Sequence, residues 1–300
     1  MKIRALVVAA IVAAWFAPQS RSPLDLVNAP VPPGATRVTY GSDPLQFGEL
    51  RLPSTKGPHP VAIVIHGGCW VAKLGNMDER AVAIDNMRPA AAALTEAGIA
   101  TWNIEYRRLG NPGGGWPGTF QDVARAADYV RTLAKTSPLD LTRVIAIGHS
   151  AGGHFATWLA ARPKIPKNSE IYTADPIRLA GVVNLDGPPD LKSALPQEKP
   201  ICGDPVITNL VGGPPADRAE RWAAASPAEM LPLGVPQEFF AGRMFAPQVA
   251  PYEEAVKRTG DRGVHVTALP TAGHFVFIDP QSEIWPQVLA AAKRMLKLGN

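Results

Sequence analysis

The sequence predicts an α/β fold: a mostly parallel, eight-stranded sheet with helices on both faces. Two patterns predict it. Short β-branched or apolar runs alternate with helical stretches along almost the whole chain, the order required by parallel strands with crossover helices. The runs VAIVI at 61–65 and VIAI at 144–147 also lack polar alternation, as strands buried on both faces do. A third observation gives the sheet its working edge. The run at 144–147 passes directly into Gly148-His149-Ser150-Ala151-Gly152 and then a helical stretch over 153–161.

Taken in order, residues 1–20 read as a secretory signal. Lys2 and Arg4 form a basic start, and 5–17 is an apolar stretch too short for an ordinary membrane-spanning helix. Cleavage falls after small residues, either near Val12-Ala13-Ala14 or by Ser20. No cysteine lies nearby, which argues against a lipid anchor. Residues 21–35 are polar and Pro-rich and read as a linker. A single domain then runs over 36–300. Strands at 36–40 and 45–52, joined by Gly-Ser-Asp-Pro, form an antiparallel edge pair. The run at 61–65 is central. Residues 87–97 are an Ala-rich helix stopped by Gly98, and 99–106 is the next strand. Residues 110–117 are too rich in Gly and Pro to be regular. They lack phosphate-loop spacing, and no Lys-Ser/Thr follows, which excludes nucleotide binding of that type. An amphipathic helix over 120–134 precedes the serine-bearing strand. The strand at 179–185 ends in Asp186-Gly187-Pro188-Pro189-Asp190. Residues 191–231 read as an irregular, Pro-rich insertion near the site mouth, where such loops set specificity. A strand at 236–241, a helix at 251–258, a strand at 264–269 and an amphipathic helix at 285–298 complete the chain.

Composition narrows the function classes. With 46% hydrophobic and 19% charged residues the chain is globular rather than disordered. The formal charge is only +4, two of its cations lie in the leader, and no basic stripe occurs. Nucleic acid is therefore not an expected partner. No His/Cys/Asp cluster has metal-ligand spacing, so no metal and no other cofactor is expected.

The chemistry sits in three short stretches. In Gly148-His149-Ser150-Ala151-Gly152, glycines two residues either side of the serine permit a turn too tight for side chains there. The turn lifts the Ser150 hydroxyl above the sheet edge and aims the Ala151 N–H at a nascent oxyanion. His66-Gly67-Gly68-Cys69-Trp70 follows the third strand and supplies further donors, the N–H groups of Gly68 and Cys69. His66 reads as a brace for that loop. Trp70 reads either as a wall of the acyl pocket or as a packed loop aromatic, and Trp116 also lies near the expected mouth. His274, in Gly-His-Phe after the last strand, is the expected base, because a serine hydroxyl attacks only when a base takes its proton. His59, His265, His149 and His154 are weaker candidates. Cys69 and Cys202 form the one possible intrachain disulfide, which an exported chain favours over two buried thiols.

Together HGGCW at 66–70, NIEYRR at 103–108, GHSAGG at 148–153, SPAEMLPLGVPQ at 226–237 and AGHF at 272–275 resemble α/β-hydrolases of the HGGxW esterase type, a group with kynurenine formamidase-like and acetyl-esterase-like members. The resemblance covers about 35–297 and implies the α/β-hydrolase fold. It implies a serine hydrolase of carboxylic esters working through an acyl-enzyme, or, in the second reading, an arylformamidase or small peptidase. One position departs from the family. The acid after the seventh strand, usually in Gly-x-x-Asp, is replaced in Gly242-Arg243-Met244-Phe245 by Phe245. The acid has then moved to the end of the sixth strand, with Asp186 the first choice and Asp190 the second. Otherwise the site is a Ser-His dyad, or the chain is a non-catalytic binding protein on a hydrolase fold. Glu238 begins its strand and should lie at the opposite sheet end. Glu105 and Asp279 read as scaffold residues. The expected partner is a small ester or amide, and the expected location is the periplasm or the exterior.

Overall fold

The computed structural model describes residues 22–261 and 263–299. The signal expected over 1–20 lies outside the described residues. Eight strands form one sheet: β1 (Thr36–Thr39), β2 (Phe47–Arg51), β3 (His59–Ile65), β4 (Ala100–Ile104), β5 (Leu139–His149), β6 (Gly181–Leu185), β7 (Gln237–Ala241) and β8 (Val264–Ala268), in the order β1-β2-β4-β3-β5-β6-β7-β8. β1, β2 and β4 pair antiparallel, and every other neighbouring pair is parallel. This is the α/β-hydrolase fold, and the β3 and β5 runs that lack polar alternation lie side by side at its centre.

Alternate side chains of the central strands feed two cores, because successive strand residues face opposite ways. Ile63 and Ile65 of β3 and Ala146 of β5 pack with Phe120 of α3 (Gly118–Asp128) and with Phe155 and Trp158 of α5 (Ala151–Ala161). Ala62, Val64, Ile145 and Ile147 pack instead with Leu94 of α2 (Arg88–Glu96) and Val288 of α10 (Trp285–Met295). A short helix α4 (Val130–Leu133) continues α3, and α9 (Ala246–Arg258) covers Phe239 of β7 through Val249 and Tyr252. No helix of the described residues is long and apolar enough to cross a membrane.

Two segments differ from the sequence expectation. Within the expected linker, Pro23–Val27 forms a short helix, α1, closed by a reciprocal Ser22–Asp25 capping box, and its Leu26 is buried in the second core. Residues 191–231 are not irregular. They form α6 (Leu191–Cys202), α7 (Val206–Val211), α8 (Ala219–Ala225) and a 3-10 turn at Pro227–Met230. Pro196 and Pro200 lie inside α6, where proline normally breaks a helix. Strong ends define α6 nonetheless. The Asp190 carboxylate accepts the Lys192 N–H at 3.0 Å, and Gly203 stops the helix with φ 83°.

Candidate active site

The turn between β5 and α5 organises the site. Ser150 holds φ 55° and ψ −121°, a conformation that a side-chain-bearing residue adopts only under constraint. The constraint is visible on both flanks. A Cβ on Gly148 would sit 2.0 Å from the Gly152 carbonyl oxygen, and one on Gly152 would sit 2.1 Å from that of Ile65. Glycine is the only residue that fits either place. The Ser150 N–H donates to Leu185 O at 2.9 Å, tying the turn to the end of β6.

The end of β6 carries Asp186, and the chain after β8 carries His274. The His274 Nδ1–H donates to Asp186 Oδ2 at 2.6 Å. The other carboxylate oxygen, Oδ1, accepts the N–H groups of Gly242 at 2.8 Å and Phe245 at 3.2 Å. Asp186 is buried and holds φ 49°, a second strained residue at this sheet edge. The position where the family usually has its acid thus contributes a backbone donor to a carboxylate on the neighbouring strand. Asp190 is not near this pair. It caps α6 and accepts a hydrogen bond from Ser226 Oγ at 3.0 Å. Glu238 pairs with His265 at 2.8 Å and Arg294 at 2.6 Å, and a Ser282–Gln281 turn folds over Asp279, whose carboxylate accepts the Gln281 N–H.

The loop after β3 closes the site from the other side. Gly68 holds φ 110°, Cys69 φ 53° and Trp70 φ 57°. The N–H groups of Gly68, Cys69 and Ala151 donate to no protein acceptor among the described residues. His66 lies beneath the loop with Nδ1 2.7 Å from Gly67 O and Nε2 2.9 Å from Glu105 Oε1. Burial works to raise the Glu105 pKa, but the His66 ring and Arg108 overcome it and hold the carboxyl below its usual range. Cys69 is disulfide-bonded to Cys202 at the end of α6, with Cα atoms 6.0 Å apart.

Ser150, His274, Gly68 and Cys69 line one cavity of about 130 Å³, whose remaining walls are mainly apolar: Leu74, Met77, Ala81, Val82, Ile201, Met244 and Phe275. No hydrogen bond joins the Ser150 hydroxyl to His274 in this structure; such contacts commonly tighten only when substrate binds. Trp70 is not a wall of this cavity. It is buried and donates through Nε1 to His154 Nδ1 at 3.3 Å. His154 donates its Nε2–H to Ala225 O, and burial lowers its pKa to about 4. Trp116 lies elsewhere, against Phe120, Glu170 and Arg221.

His149 is the neighbour that sequence reading undervalued. Its ring lies 4.3 Å from that of His274, and its Nε2–H donates to the His274 carbonyl at 2.9 Å. Burial, and then the His274 ring, push its pKa well below the ordinary histidine value. It therefore stays neutral beside His274. Only its adjacency to Ser150 hinted at this role.

The sheet, the strained serine turn and the histidine–carboxylate pair at its edge define an α/β-hydrolase of the esterase class. The chain belongs to the BD-FAE family, whose model matches residues 49–238. Esterase B from Lactobacillus rhamnosis superposes with a TM-score of 0.72 at 20% identity, covering 90% of this chain and 89% of that one. A truncated carbohydrate esterase from gut microbiota superposes with a TM-score of 0.70 at 20% identity, covering 89% and 97%. The bifunctional GH43-CE protein of Bacteroides eggerthii superposes with a TM-score of 0.67 at 20% identity over 86% of this chain, which spans 37% of that longer protein. No curated protein matches the chain in sequence.

Proposed function

We propose that the protein is an exported serine hydrolase of small carboxylic esters. Ser150 Oγ attacks the acyl carbonyl. His274 Nε2 takes the Ser150 proton and then gives it to the leaving alcohol. Asp186 fixes the His274 tautomer and stabilises the imidazolium as it forms. The N–H groups of Gly68, Cys69 and Ala151 hold the oxyanion, each such donor being worth about 10²–10³ in rate. The alcohol leaves, an acyl-enzyme remains on Ser150, and water attacks it with His274 again acting as base.

The observation that carries this reading is the 2.6 Å contact of His274 Nδ1 with Asp186, on a histidine that shares a cavity with Ser150. Ester hydrolysis is also the chemistry that the names of the structural neighbours give for those proteins. Export is supported by the basic-then-apolar residues 1–20 and by the Cys69–Cys202 bond, which persists in oxidising compartments. The test is initial-rate hydrolysis of p-nitrophenyl acetate and butyrate by the purified protein beside Ser150→Ala. Turnover by the wild type alone supports the reading; equal rates for the two overturn it.

A further inference from the structure

Ile201, at the end of α6, lines the cavity together with Ser150 and His274. The first turn of α6 is well anchored. Leu191 and Ala194 are buried, the Leu191 N–H donates to Ser226 Oγ at 3.1 Å, and the same hydroxyl donates to Asp190. The second half is less deeply buried. No residue from 195 to 201 is fully buried. Pro196 and Pro200 each lack an N–H, so two rungs of the helical ladder are missing. Glu198 faces away to cap α7, accepting the Ile207 N–H at 2.9 Å. Cys202 is the next buried residue, and it is bonded to Cys69 in the loop after β3. That half of α6 is also tied to α7 through Glu198 and to α9 through the Gln248–Gln197 hydrogen bond, and Leu195 and Ile201 pack on the main core, but its only covalent tie to the site is the disulfide at its end.

We propose that Ile201, held by the Cys69–Cys202 strap, caps the apolar arm of the cavity and sets the length of hydrocarbon that the ester carries there. The proposal rests on the serine-hydrolase reading. Leu74, Met77, Ala81 and Val82, which follow the same loop in the chain, also line the cavity. The strap therefore ties two of the segments that line the cavity to each other, and a cavity of about 130 Å³ suits a short chain or a single small ring. Shortening Ile201 opens room in the cavity. Each methylene newly taken out of water raises binding about fourfold.

The experiment measures kcat/KM for p-nitrophenyl esters from acetate to octanoate, which lengthen the acyl side. It repeats the measurement with alkyl acetates, which lengthen the alcohol side. Wild type, Ile201→Ala and Cys202→Ser are compared. Ile201→Ala is expected to raise the long-to-short ratio at least tenfold in one of the two series, and that series identifies which side of the ester lies under Ile201. Cys202→Ser is expected to shift the same ratio the same way. Unchanged ratios in both series for both variants overturn the proposal. Hydrogen exchange supplies a readout independent of turnover. Residues 195–202 are expected to exchange faster in Cys202→Ser than in wild type, with 191–194 unchanged; equal exchange across the whole helix overturns the strap. If wild type and Ser150→Ala hydrolyse nothing, the functional reading fails while the exchange experiment still decides the strap. If Cys202→Ser does not fold, Ile201→Ala decides the cap alone.

Discussion

In the proposed mechanism, Asp186→Asn separates orientation of the base His274 from everything else in the site. In the wild type, Asp186 Oδ1 already accepts two N–H groups, from Gly242 and Phe245, while Oδ2 accepts the His274 Nδ1–H. An asparagine there must keep its carbonyl oxygen on the two backbone donors, because an amide NH₂ facing them would leave three donors without an acceptor. Its NH₂ then points at His274 Nδ1 and makes that nitrogen an acceptor. The ring proton moves to Nε2, the nitrogen needed to take the Ser150 proton. The corresponding change in a characterised serine protease costs about 10⁴ in kcat. That is about 5 kcal/mol of transition-state stabilisation, and a similar loss is expected here. Stability should change little, since shape and backbone bonds survive. Asp186→Ala, by contrast, strips two buried N–H groups of their acceptor, at about 1–3 kcal/mol each. Initial rates on p-nitrophenyl butyrate beside thermal unfolding distinguish the cases. An Asp186→Asn rate within tenfold of wild type would refute the reasoning.

Three further outcomes follow from the same geometry. Gly148→Ala forces a Cβ to 2.0 Å from the Gly152 carbonyl, so the turn must open; a stability loss of about 4 kcal/mol or more, or failure to fold, is expected in urea unfolding. Buried His154 has its pKa lowered from 6.5 to about 4. The unfolded chain therefore takes up that proton first as pH falls, and stability is lost progressively between pH 6.5 and 4, on the order of 3 kcal/mol in total. His154→Gln should lose less stability than wild type on going from pH 7.5 to 4.5, and equal losses would contradict the assignment. The Cys69–Cys202 bond spans 133 residues, so in the chain-entropy model reduction should cost about 5 kcal/mol, read as a lower guanidinium midpoint with dithiothreitol than without.

Much of this was legible in the sequence, for identifiable reasons. Strands buried on both faces announce themselves as unbroken apolar runs, so β3, β5 and β6 could be placed, and β3 recognised as central. The serine turn was legible because sterics leave glycine no substitute at 148 and 152. The helices of 191–231 were hidden by Pro196 and Pro200, since helix breakers in the interior outweigh the end signals of Asp190 and Gly203 in a linear reading. α1 was hidden by brevity, although Ser22 and Asp25 carry a capping-box spacing. For the partner of His274 the sequence left open Asp186, then Asp190, or no acid at all, because Phe245 stands where the usual aspartate belongs. Three dimensions show the contact: Asp186 meets a histidine 88 positions away, whereas Asp190 turns to Ser226. Trp70 shows the opposite limit. A loop aromatic beside the oxyanion donors suits a pocket wall, and only packing shows that it is used against His154.

The central claim is that Ser150 forms a covalent intermediate in the cavity it shares with His274. The most direct measurement is mass spectrometry of the protein after incubation with a p-nitrophenyl alkylphosphonate, followed by peptide mapping. One adduct per chain is expected, located on Ser150, absent from Ser150→Ala and formed far more slowly by Asp186→Asn. An adduct on another residue, or none under conditions where esters are hydrolysed, would contradict it.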